Sequence, residues 1–182
     1  MPTISNLIRA WHTTRDRARR SFTHLPSPNP SPNHHDTTSA HIALGATGEQ
    51  LAVAYLERHG FDIVATNVHL PIGRSRRNQI INAEIDIIAY EADTLCFVEV
   101  KTRRSDWFAA PEANVDLRKQ RQITRAARRY RRLLNLRATA YRYDVVTVIL
   151  PDEASHIPPR IELLPAFWTE SKFRKRRWEH QY

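Results

Sequence analysis

The chain has little of what would stabilise it outside a cell or anchor it in a membrane. Its 182 residues include one cysteine, Cys96, so no disulfide can form within the chain. It also has no run of about 18 apolar residues, the length that a membrane-spanning helix needs. The lack of such a run predicts no membrane partner, and a single thiol in an apolar run predicts a reducing, cytoplasmic location. A chain of this length can still bury a core without disulfides.

Acidic residues are scarce in one part of the chain. Between Arg103 and Arg142 there are twelve Lys or Arg residues and three Asp or Glu residues, a net charge of +9. That local excess equals the formal charge of the whole chain, which is also +9. Such a concentration of one sign predicts a polyanionic partner or an anionic surface.

The two ends of the chain differ in composition from its middle. Residues 1–40 are basic and include a proline-rich stretch, which predicts a disordered tail. Their Arg- and Ser-containing, acid-poor start also resembles an organelle transit peptide. Residues 41–168 carry the patterning of one α/β domain, and residues 169–182 form a basic tail with interleaved aromatic residues.

The middle of the chain predicts the order helix, three strands, helix, strand, strand. A helix with an apolar stripe ends near Gly60, and FDIVATNV follows as a strand. Pro71 and Gly73 predict a break and a basic loop before a β-hairpin over residues 82–102. A long helix follows, and then YRYDVVTVIL and PPRIELLPAF predict two strands, the second at a sheet edge because of its prolines.

The register of the hairpin brings two acids together. A turn at residues 91–94 pairs Tyr90 with Leu95, and the same register sets Asp86 opposite Glu99. The β-carbons of directly opposed residues lie about 5 Å apart, a distance at which two carboxylates repel each other. A cation between them would remove that repulsion.

Two interpretations of this acidic pair stay open at this point. Glu99 stands in the apolar run LCFVEVK, where an ionised group needs a partner, and Lys101 follows on the same face. These features favour a hard divalent cation held by carboxylate oxygens. The alternative is an ordinary strand face whose charged residues are solvated.

Arginines concentrate in the predicted basic loop and on one face of the long helix. The helix arginines have no acidic residue four positions away, which favours phosphate contact over a solvated face of mixed charge. The loop arginines either open onto the hairpin or are merely solvated. The loop residues are Arg74, Arg76 and Arg77, and the helix residues are Arg118, Arg121, Arg125, Arg128 and Arg132.

An ordered set of short motifs resembles a known family. G-x-x-G-E lies at Gly45–Glu49, E-I-D-x-I-A at Glu84–Ala89 and F-V-E-V-K-T-R at Phe97–Arg103, with K-Q-R and Y-D-V-V further on. Together they resemble the YraN-like family, which is similar to the PD-(D/E)xK nucleases and close to archaeal Holliday-junction resolvases. The resemblance covers about residues 41–168. It implies a restriction-endonuclease-like α/β fold: a three-layer core with a mixed central sheet flanked by helices.

The resemblance also implies a site and an activity. Glu49, Asp86, Glu99 and Lys101 match the superfamily's catalytic positions, with the three acids as ligands of Mg²⁺ or Mn²⁺. The implied activity is metal-dependent endonucleolytic cleavage of DNA, with branched DNA as a candidate substrate. The predicted nucleic-acid-binding residues are Arg74, Arg76, Arg77, Arg103, Arg118, Lys119, Arg121, Arg125, Arg128 and Arg132.

Two other classes of protein share these features. One is a nucleic-acid-binding module that keeps the fold and basic surface without catalysis. The other is an adaptor that docks a partner protein through Trp107, Phe108 and the C-terminal aromatic residues. Resolvase-like enzymes act on symmetric junctions as dimers, so the resemblance also implies a possible homodimer. No pattern in the sequence identifies a dimer surface.

Overall fold

The computed structural model describes residues 37–104, 115–151 and 156–173, which form two long helices, five strands and a short 3₁₀ helix. The rest of both predicted tails and the segment with Trp107 and Phe108 lie outside the described residues. In chain order the elements are α1 (Thr37–Arg58), β1 (Phe61–Arg74), β2 (Ile80–Glu91), β3 (Thr94–Arg104), α2 (Leu117–Leu133), β4 (Tyr141–Leu150), β5 (Arg160–Trp168) and a 3₁₀ helix (Glu170–Phe173). This is the predicted order of elements.

The five strands form one mixed sheet in the order β1-β2-β3-β4-β5. Only the β3–β4 pair is parallel, and α2 lies in the connection between these two strands. The predicted hairpin register is confirmed, since Tyr90 pairs with Leu95 and Ile87 with Val98. Ala92, in the turn, takes a left-handed backbone conformation with φ of 48°.

One helix packs on each face of the sheet, so the predicted three-layer α/β class is confirmed. On one face, Ala52 and Leu56 of α1 pack with Val98 of β3. On the other, Ile123 and Tyr130 of α2 join a separate apolar cluster. Asp86 and Glu99 are buried in this otherwise mostly apolar sheet.

The alternation of side chains in β2 differs from the prediction on one side of Asp86. Ile85 belongs to the same apolar cluster as Ile88, whereas strict alternation would put these two residues on opposite faces. In β1, Asn67 has φ of 52° and lies between the residues paired with Ile87 and Ile85. A left-handed residue interrupts the pleat, so the two strands change face together at this point.

The segment predicted as a loop around Pro71 and Gly73 is instead the end of a strand. β1 continues to Arg74 and stays paired with β2, with a register shift between Pro71 and Gly73. This is compatible with proline because β1 is an edge strand, and one side of an edge strand needs no backbone donor. The predicted basic loop is therefore reduced to residues 75–79 at the tip of a long hairpin.

The residues after β5 pack against the domain. Glu170 accepts hydrogen bonds from Arg128 on α2 and from the Tyr143 hydroxyl on β4. Phe173 packs against the apolar cluster under α2. Structure thus continues beyond residue 168, and α1 begins before residue 41. No helix in the described ranges is long and apolar enough to cross a membrane.

Candidate active site

Asp86 and Glu99 lie on adjacent strands where the β2–β3 ladder ends. The last backbone pair of that ladder is Ile87 with Val98. Beyond it, the carboxylate oxygen Oδ2 of Asp86 accepts a hydrogen bond from the backbone N–H of Val100 at 2.7 Å. Asp86 is 7 % exposed and Glu99 is 1 % exposed. The two acids are therefore buried side by side at the point where the strands separate.

Two lysines approach this pair from different elements. The ammonium nitrogen Nζ of Lys101, on β3, lies 2.8 Å from Oε1 of Glu99. Nζ of Lys119, on α2, lies 3.0 Å from Oε2 of Glu99 and 3.8 Å from Oδ1 of Asp86. Lys101 was predicted at this site. Lys119 was predicted as a nucleic-acid-binding residue, and the structure brings it against the acids.

The start of α2 explains how Lys119 reaches the acids. Asp116 caps the helix, and its side chain accepts a hydrogen bond from the backbone N–H of Lys119 at 2.7 Å. Lys119 is thereby fixed in the first turn, where the helix dipole disfavours a cation, and no acidic residue occupies that turn. Its charge is compensated across the interface by Asp86 and Glu99, not by its own helix.

The close packing of charges changes the acidity of two groups. Burial, and next the negative charge of Glu99, raise the pKa of Asp86 to about 7, although Lys119 acts against this. Burial alone would lower the pKa of Lys119, but the carboxylates of Asp86 and Glu99 outweigh it and the net shift is upward. Asp86 thus changes its charge near neutral pH, while Lys119 remains a cation.

The oxygen atoms of the pair suit a hard divalent cation. Oε2 of Glu99 is buried, and its ion-pair partner among the described residues is Nζ of Lys119 at 3.0 Å. No third Asp, Glu, His or Cys joins the pair to form a metal-binding group within the described ranges. Two carboxylates are sufficient for Mg²⁺, which commonly binds one or two carboxylates and completes its shell with water and phosphate oxygens.

The structure does not bring Glu49 into contact with the pair. Glu49 is half-buried on α1, which packs on the opposite face of the sheet from α2. Its neighbour Gly48 lies against Thr102 of β3, and a β-carbon at Gly48 would come 1.7 Å from the Thr102 hydroxyl oxygen. Glu49 therefore lies near the same end of β3 as Glu99, and its role as a ligand through water stays a prediction.

Another buried acid, Asp144 on β4, has hydrogen-bond donors for both of its carboxylate oxygens. Nε of Arg142 lies 2.9 Å from both of its oxygens, and the backbone N–H of Ala166 donates to Oδ1 at 2.8 Å. Asp144 is fully paired with groups of its own sheet. The acidic pair differs because two adjacent carboxylates share their compensating cations, and one of these cations comes from a helix.

The predicted arginines of α2 are not all equally available. Arg128, predicted to have no acidic partner, forms an ion pair of 2.7 Å with Glu170, which the sequence spacing of α2 alone does not reveal. Arg121 lies over the ring of Phe173 at 5.6 Å, and Arg125 donates to the carbonyl oxygen of Ile72. Arg118 and Arg132 are exposed.

The predicted loop arginines surround the hairpin tip. Arg74 is exposed and donates to the backbone oxygen of Asn78 at 2.9 Å. Arg76 and Arg77 are exposed in the turn itself. Arg103 lies near the end of β3, four residues after Glu99. Basic side chains therefore extend from the acidic pair along α2 and around the hairpin tip.

Comparison with known proteins identifies the family. The model of the uncharacterised protein family UPF0102 matches residues 48–148, more than half of the chain. The chain belongs to family UPF0102. The matched range includes Asp86, Glu99, Lys101 and Lys119, so all four side chains of the site lie in the family's domain. The predicted YraN-like membership is confirmed, and the resemblance to nucleases stays a prediction.

Individual UPF0102 relatives match over most of their own length. A UPF0102 protein of Koribacter versatilis is 41% identical over 110 residues, which cover 60% of this chain and 71% of that protein. One from Chlorobium limicola is 41% identical over 133 residues, covering 71% of this chain and 95% of the relative. One from Syntrophus aciditrophicus is 39% identical over 123 residues, covering 68% of this chain and 86% of the relative.

Proposed function

We propose that this UPF0102 protein is a divalent-metal-dependent nuclease that hydrolyses phosphodiester bonds of DNA. The observation that supports the proposal most is the buried pair of Asp86 and Glu99, with Lys101 and Lys119 each within 3.0 Å of a Glu99 oxygen. Two buried carboxylates side by side are costly unless cations join them, and here the cations are two lysine side chains that are 30 % and 31 % exposed. Perturbed acids with partly exposed cations are typical of reactive sites.

Each side chain would have a distinct task in that reaction. Asp86 and Glu99 would supply the oxygen ligands of Mg²⁺ or Mn²⁺. When bound, the ion would act as a Lewis acid on the scissile phosphate and lower the pKa of a bound water. Lys101 would orient that water through its ammonium group and offset negative charge that develops on the phosphate.

Lys119 would compete with the ion for the same oxygens. The ammonium nitrogen of Lys119 now lies 3.0 Å from a Glu99 oxygen and 3.8 Å from an Asp86 oxygen, and both residues would also hold the ion. Lys119 would therefore have to leave these carboxylates for both of them to bind the ion. A displaced Lys119 remains next to the site, where it can contact the substrate phosphate.

The basic side chains along α2 would bind the DNA backbone. Contacts from arginine to phosphate depend on salt and carry little sequence information. A nuclease of this kind would recognise the structure of its substrate rather than its sequence.

The decisive test is cleavage of labelled duplex, single-stranded, flapped and four-way DNA by the purified full chain. We expect cleavage that stops with EDTA and returns when Mg²⁺ or Mn²⁺ is added in excess. Asp86→Asn and Glu99→Gln should each abolish it, and a contaminating nuclease would be revealed by activity that persists in both variants. If the wild-type protein binds these substrates but cuts none of them, the protein is a non-catalytic nucleic-acid-binding module.

A further inference from the structure

An open groove runs between the β1–β2 hairpin and the C-terminal half of α2. Its volume is about 530 Å³, and five arginines line it: Arg74 from the hairpin, and Arg125, Arg128, Arg129 and Arg132 from the helix. We call it the arginine groove. No acidic side chain of the described residues lines it. A concave surface lined by one sign of charge focuses the electrostatic potential and attracts anions.

The walls of the arginine groove are held together by specific contacts. The guanidinium group of Arg125 crosses from α2 to the carbonyl oxygen of Ile72 on β1. It can approach because Gly73 has no side chain: a β-carbon there would lie 2.8 Å from the guanidinium nitrogen. Gly73 also has φ of 155°, which few other residues adopt. The groove is thus a defined feature of the fold.

Arg129 and Arg132 have the positive charges of the groove that are most available to a ligand. Both are exposed, and neither pairs with an acidic residue within the described structure. Arg128 is partly neutralised by Glu170, with N to O distances of 2.7 and 2.8 Å. Among the described residues, these two guanidinium groups of the helical wall have no acidic partner, and such groups are suited to phosphate oxygens.

The rest of the lining is apolar. Pro71, Ile72 and Ile80 lie between the arginines, and Ile80 is 59 % exposed. A volume of about 530 Å³ is in the range of small-ligand sites and is too small to admit a DNA double helix. A single strand has phosphates for the arginines and unpaired bases and sugars for the apolar residues.

The groove lies at a definable distance from the acidic pair. Along α2, Arg125 and Arg132 follow Lys119 by six and thirteen residues, which corresponds to about 9 and 20 Å. Along β2, Ile80 precedes Asp86 by six residues, or about 20 Å. Both walls thus place the groove roughly 10–20 Å from the site.

From these observations we infer that the arginine groove binds an unpaired nucleic-acid strand several nucleotides away from the phosphate at the acidic pair. The inference rests on the proposed function for its substrate class. It adds that the substrate has a single-stranded segment, as a flap or an opened branch does, and that the groove holds this segment while Asp86 and Glu99 face the bond to be cut.

Binding assays without catalysis test the inference. A labelled single strand of about 15 nucleotides is long enough to span both sites, and a duplex of the same length serves for comparison. Affinity for each is measured against salt, in EDTA, with the full chain. The groove variant is Arg129→Gln with Arg132→Gln. The control is Arg58→Gln with Arg160→Gln, which removes the same charge from exposed positions on α1 and β5.

For the single strand, we expect the groove variant to lower the slope of log K against log salt by about 1.4, the value for two lost phosphate contacts. The control should change the slope by less than about a third of that amount. Ile80→Ser should weaken single-strand binding several-fold and leave duplex binding unchanged. Because Ile80 is exposed, this change should not unfold the domain.

The inference is overturned if the groove variant and the control behave alike, or if the groove variant affects duplex and single strand equally. Its failure can be told apart from failure of the proposed function. If the wild-type protein cleaves DNA and the groove variant has an unaltered salt slope, the groove does not bind the strand but the protein is still a nuclease. If the groove variant has a reduced slope but the wild-type protein cuts no DNA, the groove binds the strand and the proposed nuclease activity is wrong.

Discussion

Asp86→Asn tests the electrostatics of the site because it removes one charge and nearly preserves shape. The carbonyl oxygen of an asparagine can still accept the hydrogen bond from the backbone N–H of Val100. The substitution ends the repulsion between residues 86 and 99 that burial strengthens. We therefore expect the metal-free variant to be more stable than the wild-type protein at neutral and alkaline pH.

The size of the effect follows from the pKa of Asp86. Folding raises that pKa from 3.8 to about 7. A raised carboxyl pKa stabilises the folded state below pH 3.8, and this contribution is lost as pH rises through about 7. At 1.36 kcal/mol per pKa unit, keeping Asp86 ionised above pH 7 costs up to about 4 kcal/mol. In a protein of this size, the variant would melt up to about 8–16 °C higher at pH 8.

Thermal melting in the presence of a chelator, at pH 5 and pH 8, measures this difference. The gain of Asp86→Asn should be large at pH 8 and should shrink at pH 5, where wild-type Asp86 is protonated. Asp93→Asn is the matched control, because Asp93 is exposed in the turn between β2 and β3. A variant less stable than the wild type at pH 8 would refute the reasoning.

Added Mg²⁺ should narrow the stability difference between the two proteins at pH 8. A ligand at a hundred times its dissociation constant stabilises the wild-type protein by about 2.7 kcal/mol, and the variant should gain much less. Calorimetry that shows undiminished Mg²⁺ binding to Asp86→Asn would remove Asp86 from the proposed ligand set.

Three further predictions address other contacts. Lys101→Ala should keep DNA affinity within a few-fold and cut about 10²-fold more slowly, measured under single-turnover conditions; equal cleavage would exclude its role. Lys119→Gln should bind Mn²⁺ about tenfold more tightly by calorimetry, a change of about 1.4 kcal/mol, because the competing ammonium is gone. Arg118→Gln, the same charge change at an exposed position one residue away, should not do so, and equal effects would mean that only net charge matters. Glu170→Gln should lower stability at pH 7 by about 1 kcal/mol, since Arg128 loses its charged partner, and chemical denaturation at pH 4 should show a smaller loss.

Local patterns in the sequence were sufficient for most of the fold. Alternation and a short turn determine a hairpin register, because each pair follows from the one before it, and the Tyr90–Leu95 pairing is observed. Helical periodicity likewise identified both helices, and the single apolar stripe of each requires a sheet face to cover it. The approach of Asp86 to Glu99 was also foreseeable, because it follows from the register of the hairpin.

Tertiary structure alone decided which cations join the site and which arginines stay available. Lys119 reaches Glu99 from a helix twenty residues later, and Glu170 meets Arg128 from forty-two residues away. Residues this far apart in the sequence follow no helical or strand repeat, so no local pattern predicts that they are in contact. Such pairings depend on how helices and sheet pack together.

The path of β1 was also decided by the sheet. Pro71 and Gly73 disfavour a strand by their own backbone preferences, and they predicted a loop. The edge position of β1 makes the missing proline donor harmless, and the approach of Arg125 uses the space that Gly73 leaves. Residue identity thus determined the elements and their registers, whereas the charge balance of the site and the groove arose only when distant elements packed, because those contacts join residues that no local pattern relates.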